Sequence, residues 1–297
     1  MTSGLFSGIL WGLDTLLIGL FLERMGLGSP LIASLISTFL HDFFSSIWMI
    51  IYTSIRKQWQ PILRALKTSS GRAIVIGSLL GGPVGMSGYV LSIKYLGPSL
   101  TAIISSIYPA LSVFFSYVFL KEKMSRNRII GLIICLGSVV LLNLGSDTAT
   151  GSNHLLGLFF AMLACLGWSL EGVIVSYGMR EEEIKDEHAL QIRQLSSAIV
   201  YAGVIIPLIH GFPIVKGAVL SAASWIIILA ALFGTASYLL YYRAIYKIGL
   251  SKAVALNITY VAWAVLFSIF FGGTIDVKTV ILGAAVVGGS LMAAIEW

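Results

Sequence analysis

The sequence predicts an all-α integral membrane protein, with ten transmembrane helices arranged as two inverted five-helix repeats, 1–150 and 151–297. Three observations predict it. Apolar blocks long enough to cross a bilayer follow one another along nearly the whole chain. Lysines and arginines gather on alternate connections between these blocks. The second half also repeats residues of the first in register.

Composition sets the class before any motif does. Of 297 residues, 58% are apolar and 11% charged, so the spans consume the chain and leave no room for a soluble catalytic domain. The formal charge of +6 comes from basic residues at span ends, not from an arm or finger motif, and so speaks of topology rather than nucleic acid. Cys135 and Cys165 fall inside apolar spans without metal-ligand spacing, which predicts neither a disulfide nor a zinc site. The sequence has no HExxH, no GxSxG and no paired histidines, so an enzyme, a metal or a cofactor is not expected. Without a basic leader and a small-residue cleavage site, the first apolar run is expected to stay as a helix.

A span needs about 20 mostly apolar residues, and ten segments meet that rule. The first, 4–22, carries Trp11 and, one turn later, Asp14; it ends at the interruption 22–28. Next, 28–54 carries His41-Asp42 and stops at the basic stretch 56–72. The third, 72–94, contains Gly81-Gly82-Pro83-Val84-Gly85 and Gly88, which permit close helix approach and break the hydrogen-bond ladder at Pro83. After Gly97-Pro98 comes 98–120, with a polar stripe of Thr101, Ser105, Tyr108 and Ser112 and a kink expected at Pro109. The fifth, 128–144, follows the basic stretch 121–127. Beyond 145–153, the sixth span, 154–178, carries Trp168 and Glu171. The acidic run Glu181-Glu182-Glu183 with Asp186 and Glu187 reads as a solvated loop, and 190–210 follows it. The interruption 211–217 precedes 219–242, which holds Tyr238, Tyr241 and Tyr242. The ninth, 250–271, shows Asn257, Tyr260 and Trp263 at three-residue spacing, and 276–295 closes the set. All the connections are expected to be short turns.

Fifteen basic residues lie on one side: Arg56, Lys57, Arg64, Lys67 and Arg72, then Lys121, Lys123, Arg126 and Arg128, then Arg180, Lys185 and Arg193, then Arg243, Lys247 and Lys252. Arg24, Lys94, Lys216 and Lys278 lie on the other, which predicts a plasma-membrane protein with both termini in the cytoplasm. Sliding the chain by 152 residues places Gly82 on Gly234, Tyr89 on Tyr241, Gly97 on Gly249, Tyr108 on Tyr260, Phe115 on Phe267 and Gly131 on Gly283. A slide of 157 places Trp11 and Asp14 on Trp168 and Glu171. Five spans per half is an odd number, so the halves insert with opposite orientation, a transporter architecture with its site between the repeats.

Candidate site residues follow from what is costly in a bilayer. A midspan carboxylate costs about 2.5–3.5 kcal/mol on insertion scales and marks an interior or a cavity, which singles out Asp14 and Glu171. Trp11, Tyr89, Tyr108, Trp168, Tyr238, Tyr242, Tyr260 and Trp263 sit well inside spans instead of at the interfaces where aromatic belts form. Converging from several spans, they suit a lined cavity. Aromatic faces beside a carboxylate are the recurring solution for a quaternary ammonium. His41-Asp42 fits either a proton relay or a buried pair that neutralises itself; adjacent residues point about 100° apart on a helix, so both cannot face one cavity squarely. The glycine–proline run fits a hinge or a static kink.

The five-plus-five layout, the Gly97–Ala102 motif followed by Tyr108-Pro109, and the stretch LKEKMSRNRIIGLIICLGSVVLLN resemble the drug/metabolite transporter (DMT) superfamily, EamA type, over essentially the whole chain. Within it, the span-one tryptophan, GGPVGM (81–86) and SSIYPALSV (105–113) are most similar to LicB-type choline permeases. That resemblance implies a bacterial inner-membrane protein, a monomer, that imports choline or a similar quaternary ammonium by alternating access. It implies Trp11, Tyr108, Trp168 and Tyr238 or Tyr242 around the cation. Independently of the resemblance, the midspan titratable residues Asp14, Glu171 and His41-Asp42 are candidates for coupled proton movement. The superfamily also contains exporters of metabolites, amino acids and amphipathic cations, and a fold alone does not choose between them.

Overall fold

A computed structural model describes residues 1–26, 28–143, 153–181, 184–271 and 277–295. Among these it is all helix: α1 (Thr2–Met25), α2 (Pro30–Ile55), α3 (Trp59–Lys67), α4 (Ser69–Leu79), α5 (Ser87–Leu96), α6 (Pro98–Ser105), α7 (Tyr108–Leu120), α8 (Arg126–Asn143), α9 (His154–Glu181), α10 (Asp186–Val200), α11 (Ile206–Leu208), α12 (Phe212–Leu220), α13 (Ser224–Ile248), α14 (Leu250–Asn257), α15 (Tyr260–Ser268) and α16 (Val277–Ala294). π-helical turns join α4 to α5 and α10 to α11. Among the described residues, eight helices are long and apolar enough to cross a membrane: Thr2–Met25, Pro30–Ile55, Ser69–Leu96, His154–Arg180, Asp186–Leu208, Ser224–Ile248, Leu250–Ser268 and Val277–Ala294. The predicted spans 98–120 and 128–144 are helical too, the first as α6 and the short apolar α7, the second as α8.

Two connections are longer than the short turns expected. The stretch 56–72 contains α3, which buries Ile62 and Ala65 and turns Arg64 and Lys67 to the outside. It is anchored at its start, where Trp59 Nε1 donates to Ser54 Oγ (2.8 Å), and it ends where Thr68 Oγ1 accepts from the Gly71 amide to begin α4. The stretch 211–217 belongs to α12, whose Pro213 sits in the first turn, where a missing N–H costs nothing. The next span therefore begins at Ser224, later than expected. Glu182, Glu183 and most of the predicted connections 145–153 and 272–274 lie outside the described residues.

Two local expectations have a fuller explanation in the structure. Pro83 does not end its helix: the ladder shifts to π-helical bonding over Leu80–Met86, and Gly81, Gly82, Pro83 and Gly85 are all buried there. Pro109 stands in the first turn of α7, after a break between Ser105 and Tyr108. The same break recurs 152 residues later between Asn257 and Tyr260, where Val261 takes the place of proline. The preceding glycines match as well, Gly97 at φ 81°, ψ 164° and Gly249 at φ 85°, ψ 162°, a backbone that favours glycine.

Packing exchanges partners between the halves. α1 lies along α13 and α15, while α9 lies along α4, α5 and α7. α2 packs on α10 and α8 on α16. Small residues allow the closest of these approaches. A Cβ at Gly8 or Gly12 would collide with the 256–264 backbone and its side chains, and one at Gly131 with Gly289 and Ala293. Polar groups lock the α1 contact: Ser237 Oγ donates to the Ser7 carbonyl (2.7 Å), and Asn257 Nδ2 donates to Ser7 Oγ (3.0 Å).

Candidate functional site

Between these helices lies a cavity of about 480 Å³. α1 contributes Trp11 and Asp14, α2 His41 and Asp42, α5 Tyr89, α7 Tyr108, α9 Trp168 and Glu171, α13 Tyr238 and Tyr242, and α15 Tyr260. Nine of the ten residues expected at a substrate site are thus brought together, with both residues of the candidate proton pair. Trp263 is not among the lining; its ring packs on Phe267 and its Cβ lies where α15 meets Gly12. Leu22, Ser34 and Ile93, at one end of the cavity, keep partial exposure. At the other end Val175, Tyr242 and Ile245 are buried in an apolar cluster with Met49, Ile74 and Leu190.

The aromatics come in two sets, mostly edge-to-face. Trp11 meets Tyr238 with ring centroids 4.7 Å apart at 84°, and Tyr260 at 6.4 Å and 71°. Trp168 meets Tyr108 at 5.5 Å and 77°, and Tyr89, tilted, at 5.4 Å and 43°. In each edge-to-face contact the ring that presents its edge keeps both electron-rich faces free for a third party. Tyr238 leans further onto Tyr242 (6.1 Å).

The charges form one connected chain. His41 Nε2 stands 3.2 Å from Asp14 Oδ1, close enough for an ion pair but off the hydrogen-bond axis, and Nδ1 stands 3.5 Å from Asp42 Oδ1. Asp42 also accepts from Arg193 Nη1 (3.3 Å) and, at a short distance, from Ser197 Oγ. Arg193 Nε then donates to Glu171 Oε1 (2.9 Å). All five charged side chains are buried. Both residues of the adjacent pair take part in this chain: the roughly 100° between them aims His41 at α1 and Asp42 at α10.

Arg193 corrects the sequence reading. Hydropathy groups it with the loop cations that set topology, yet it lies two turns inside α10 and is only 4% exposed. Its guanidinium also donates to Gln194 Oε1 (2.7 Å) and Tyr238 Oη (3.1 Å), and its Cζ is 4.6 Å from the Tyr238 ring centroid. The physical reason is the cluster of three acids: an arginine near a span end can snorkel outward, but here inward pairing compensates buried charge. One signal was available, since Arg193 stands 152 residues after His41, the same slide that superposes the halves. Without Arg193, fourteen basic residues face four.

Glycines shape the site. A Cβ at Gly81 would overlap the Glu171 carboxylate, and one at Gly234 would overlap the His41 ring. These two helices therefore approach the ionic chain only because no side chain intervenes.

On the side of the apolar cluster, ion pairs tie segments together: Glu122 with Arg180 (2.6 Å), Asp186 with Arg243 (3.0 Å) and Glu187 with Arg56 (3.9 Å). Glu122, in the connection after α7, also accepts from the amides of Leu250 (2.9 Å) and Ser251 (3.0 Å) at the start of α14. Burial favours its neutral form, but these bonds outweigh burial and hold the carboxyl below its ordinary range.

The EamA-like transporter family matches over residues 1–144 and 155–295. Protein LicB of Haemophilus influenzae is 34% identical over 276 residues, which cover 88% of this chain and 85% of that protein. An uncharacterized transporter of Clostridium kluyveri is 24% identical over 223 residues, covering 74% of this chain and 70% of that one. A solved crystal structure superposes with a TM-score of 0.74 at 18% identity over 99% of this chain and 96% of its own, a likeness of fold.

Proposed function

The chain belongs to the EamA-like transporter family, and from that premise we propose that it imports choline or a similar quaternary ammonium by alternating access. One observation carries the reading: an aromatic cavity with an excess of buried negative charge. Three carboxylates, Asp14, Asp42 and Glu171, face one guanidinium and one imidazole. With the acids ionised the cluster carries −2 when His41 is neutral and −1 when it is protonated. A buried charge without compensation is costly, so a cation is the ligand that completes this cavity. An ammonium bearing methyl groups cannot use hydrogen-bond acceptors, and ring faces attract it by about 0.5–2 kcal/mol each.

The transport cycle is proposed to run between two five-helix repeats of opposite orientation. Support comes from the matched glycine conformations and helix breaks 152 residues apart, from the reciprocal packing of α1 and α9, and from the two matched stretches of the family. With both termini in the cytoplasm of a bacterial inner membrane, the partly exposed end of the cavity faces outward and the apolar cluster closes the inner side. Import of a monovalent cation then gains about 2.3 kcal/mol per 100 mV of inside-negative potential. Protons are a candidate second coupling through the Asp14–His41–Asp42 chain.

Two measurements test this. Calorimetric titration of the purified protein with choline, acetylcholine, betaine and aromatic amino acids should give saturable binding for the quaternary cations. Choline uptake into proteoliposomes should rise with an imposed inside-negative potential. Saturable binding of none of the quaternary compounds, or uptake indifferent to potential, would overturn the proposal.

A further inference from the structure

The cavity holds three acids, but they do not offer themselves equally. Glu171 accepts on Oε1 from Arg193 Nε, and its carboxylate fills the space that a Cβ at Gly81 would take. Asp42 is taken on both oxygens, by Arg193 and His41 on Oδ1 and by Ser197 on Oδ2. Asp14 differs. It lines the cavity, and its ion-pair partner is the imidazole of His41, 3.2 Å from Oδ1 and off the hydrogen-bond axis, whereas Glu171 and Asp42 share the permanent charge of Arg193.

Arg193 meanwhile sits where a ligand cation would. Four of the five N–H groups of a guanidinium are engaged, on Glu171, Asp42, Gln194 and Tyr238, and the cation also lies 4.6 Å from the Tyr238 ring centroid. Acid and aromatic ring are the two features expected of the substrate's own binding place, and here a side chain of the protein fills them. The matching position 152 residues earlier is His41, whose imidazole, unlike a guanidinium, loses its charge on deprotonation and then leaves Asp14 without a compensating cation.

We infer that Arg193 is a resident cation that occupies the Glu171 side of the cavity, so that the substrate's ammonium takes Asp14 as its counter-ion, beside Trp11 and Tyr260. This rests on the functional reading above and divides its site into a half filled by the protein and a half left for the ligand. Arg193 acts as a positioning residue, setting which carboxylate is available.

Two readouts test it. By calorimetry with choline, Asp14→Asn should weaken binding at least tenfold more than the paired change Glu171→Gln with Arg193→Gln, which removes one negative and one positive charge together. Equal losses, or a larger loss in the pair, would overturn the inference. The second readout does not need choline to bind. A cationic water-soluble carbodiimide, read by peptide mass spectrometry, should modify Asp14 but not Glu171 in the wild-type protein. Arg193→Gln should open Glu171 to the reagent, while Arg193→Lys keeps it protected. Modification of Glu171 with Asp14 spared in wild type would refute the assignment, even if Arg193→Gln fails to fold. Should wild type bind no choline while Asp14 alone is modified, the functional reading falls and the division of the cavity stands. Choline binding together with labelling at Glu171 would instead keep the functional reading and overturn the division.

Discussion

Replacing Trp168 by alanine separates a binding ring from a packing ring. Trp168 is half-buried, lines the cavity and is propped by Tyr108 at 5.5 Å and Tyr89 at 5.4 Å. Loss of one ring face removes about 0.5–2 kcal/mol of attraction for a quaternary ammonium, which is roughly two- to thirtyfold in Kd. Since both tyrosines lose the ring they lean on, the expected loss is in the upper part of this range, about tenfold or more. Trp168→Phe keeps a smaller face and should lose about half as much free energy. Packing must be measured separately, because a tryptophan truncated in a core costs about 3–5 kcal/mol, less here for a ring that also faces a cavity. Calorimetry of choline binding, paired with thermal unfolding in the absence of ligand, gives both numbers. An alanine variant that unfolds earlier yet binds choline with unchanged Kd would show that Trp168 is packing alone, and the cage argument would fail with it.

Single cysteines at Gly28 and Gly217, where a Cβ meets open space, should react with an impermeant maleimide from outside intact cells, and one at Lys57 only after permeabilisation; the opposite pattern reverses the proposed topology. Gly81→Ala should disrupt the Glu171–Arg193 pair and lower stability by about 1–3 kcal/mol, whereas Gly137→Ala, inside α8 with nothing within 4 Å, should hold or raise the unfolding temperature; equal losses in the two would contradict the close approach. Glu122 has its carboxyl held below the ordinary range, so its contribution is present above about pH 4.5 and is lost as pH falls through the folded value. Thermal unfolding from about pH 7 down through the folded value, to about pH 2, should therefore show Glu122→Gln less stable by about 1–2 kcal/mol at neutral pH, with the gap closing below about pH 4.5; a constant gap would deny the linkage.

Much of the fold was legible because a bilayer enforces it. Apolar length had to become helix, since no water satisfies the backbone there, and the runs around Trp11, Trp168 and Tyr238 became α1, α9 and α13 within a few residues of expectation. What the apolar rule did not resolve were segments lying outside or across it. α3 and α12 are helices too short to span, built where basic residues and a proline suggested turns. The π-helical turn at Leu80–Met86 needed more than Pro83 to foresee, since it also depends on the Glu171 and Trp168 side chains packed against Gly81 and Gly85.

The cavity was legible in its aromatics and acids but not in its charge balance, and Arg193 shows why. An arginine a few residues inside a span has two destinations, the interface or the interior, and its own neighbours in sequence do not decide between them. Gln191 and Gln194, both fully buried, flank it on α10, but the deciding partners are Asp42 on α2 and Glu171 on α9. The acids themselves carried the missing information. Asp14, Asp42 and Glu171 all fall within apolar spans, and three buried anions with one histidine leave too much charge for a low-dielectric interior. Some cation inside a neighbouring span had to answer it. Among the basic residues assigned to the cytoplasmic side, Arg193 stands at the residue that the 152-residue slide aligns with His41. Intramembrane charge and that slide, taken jointly, identify the partner that hydropathy alone assigns to a loop.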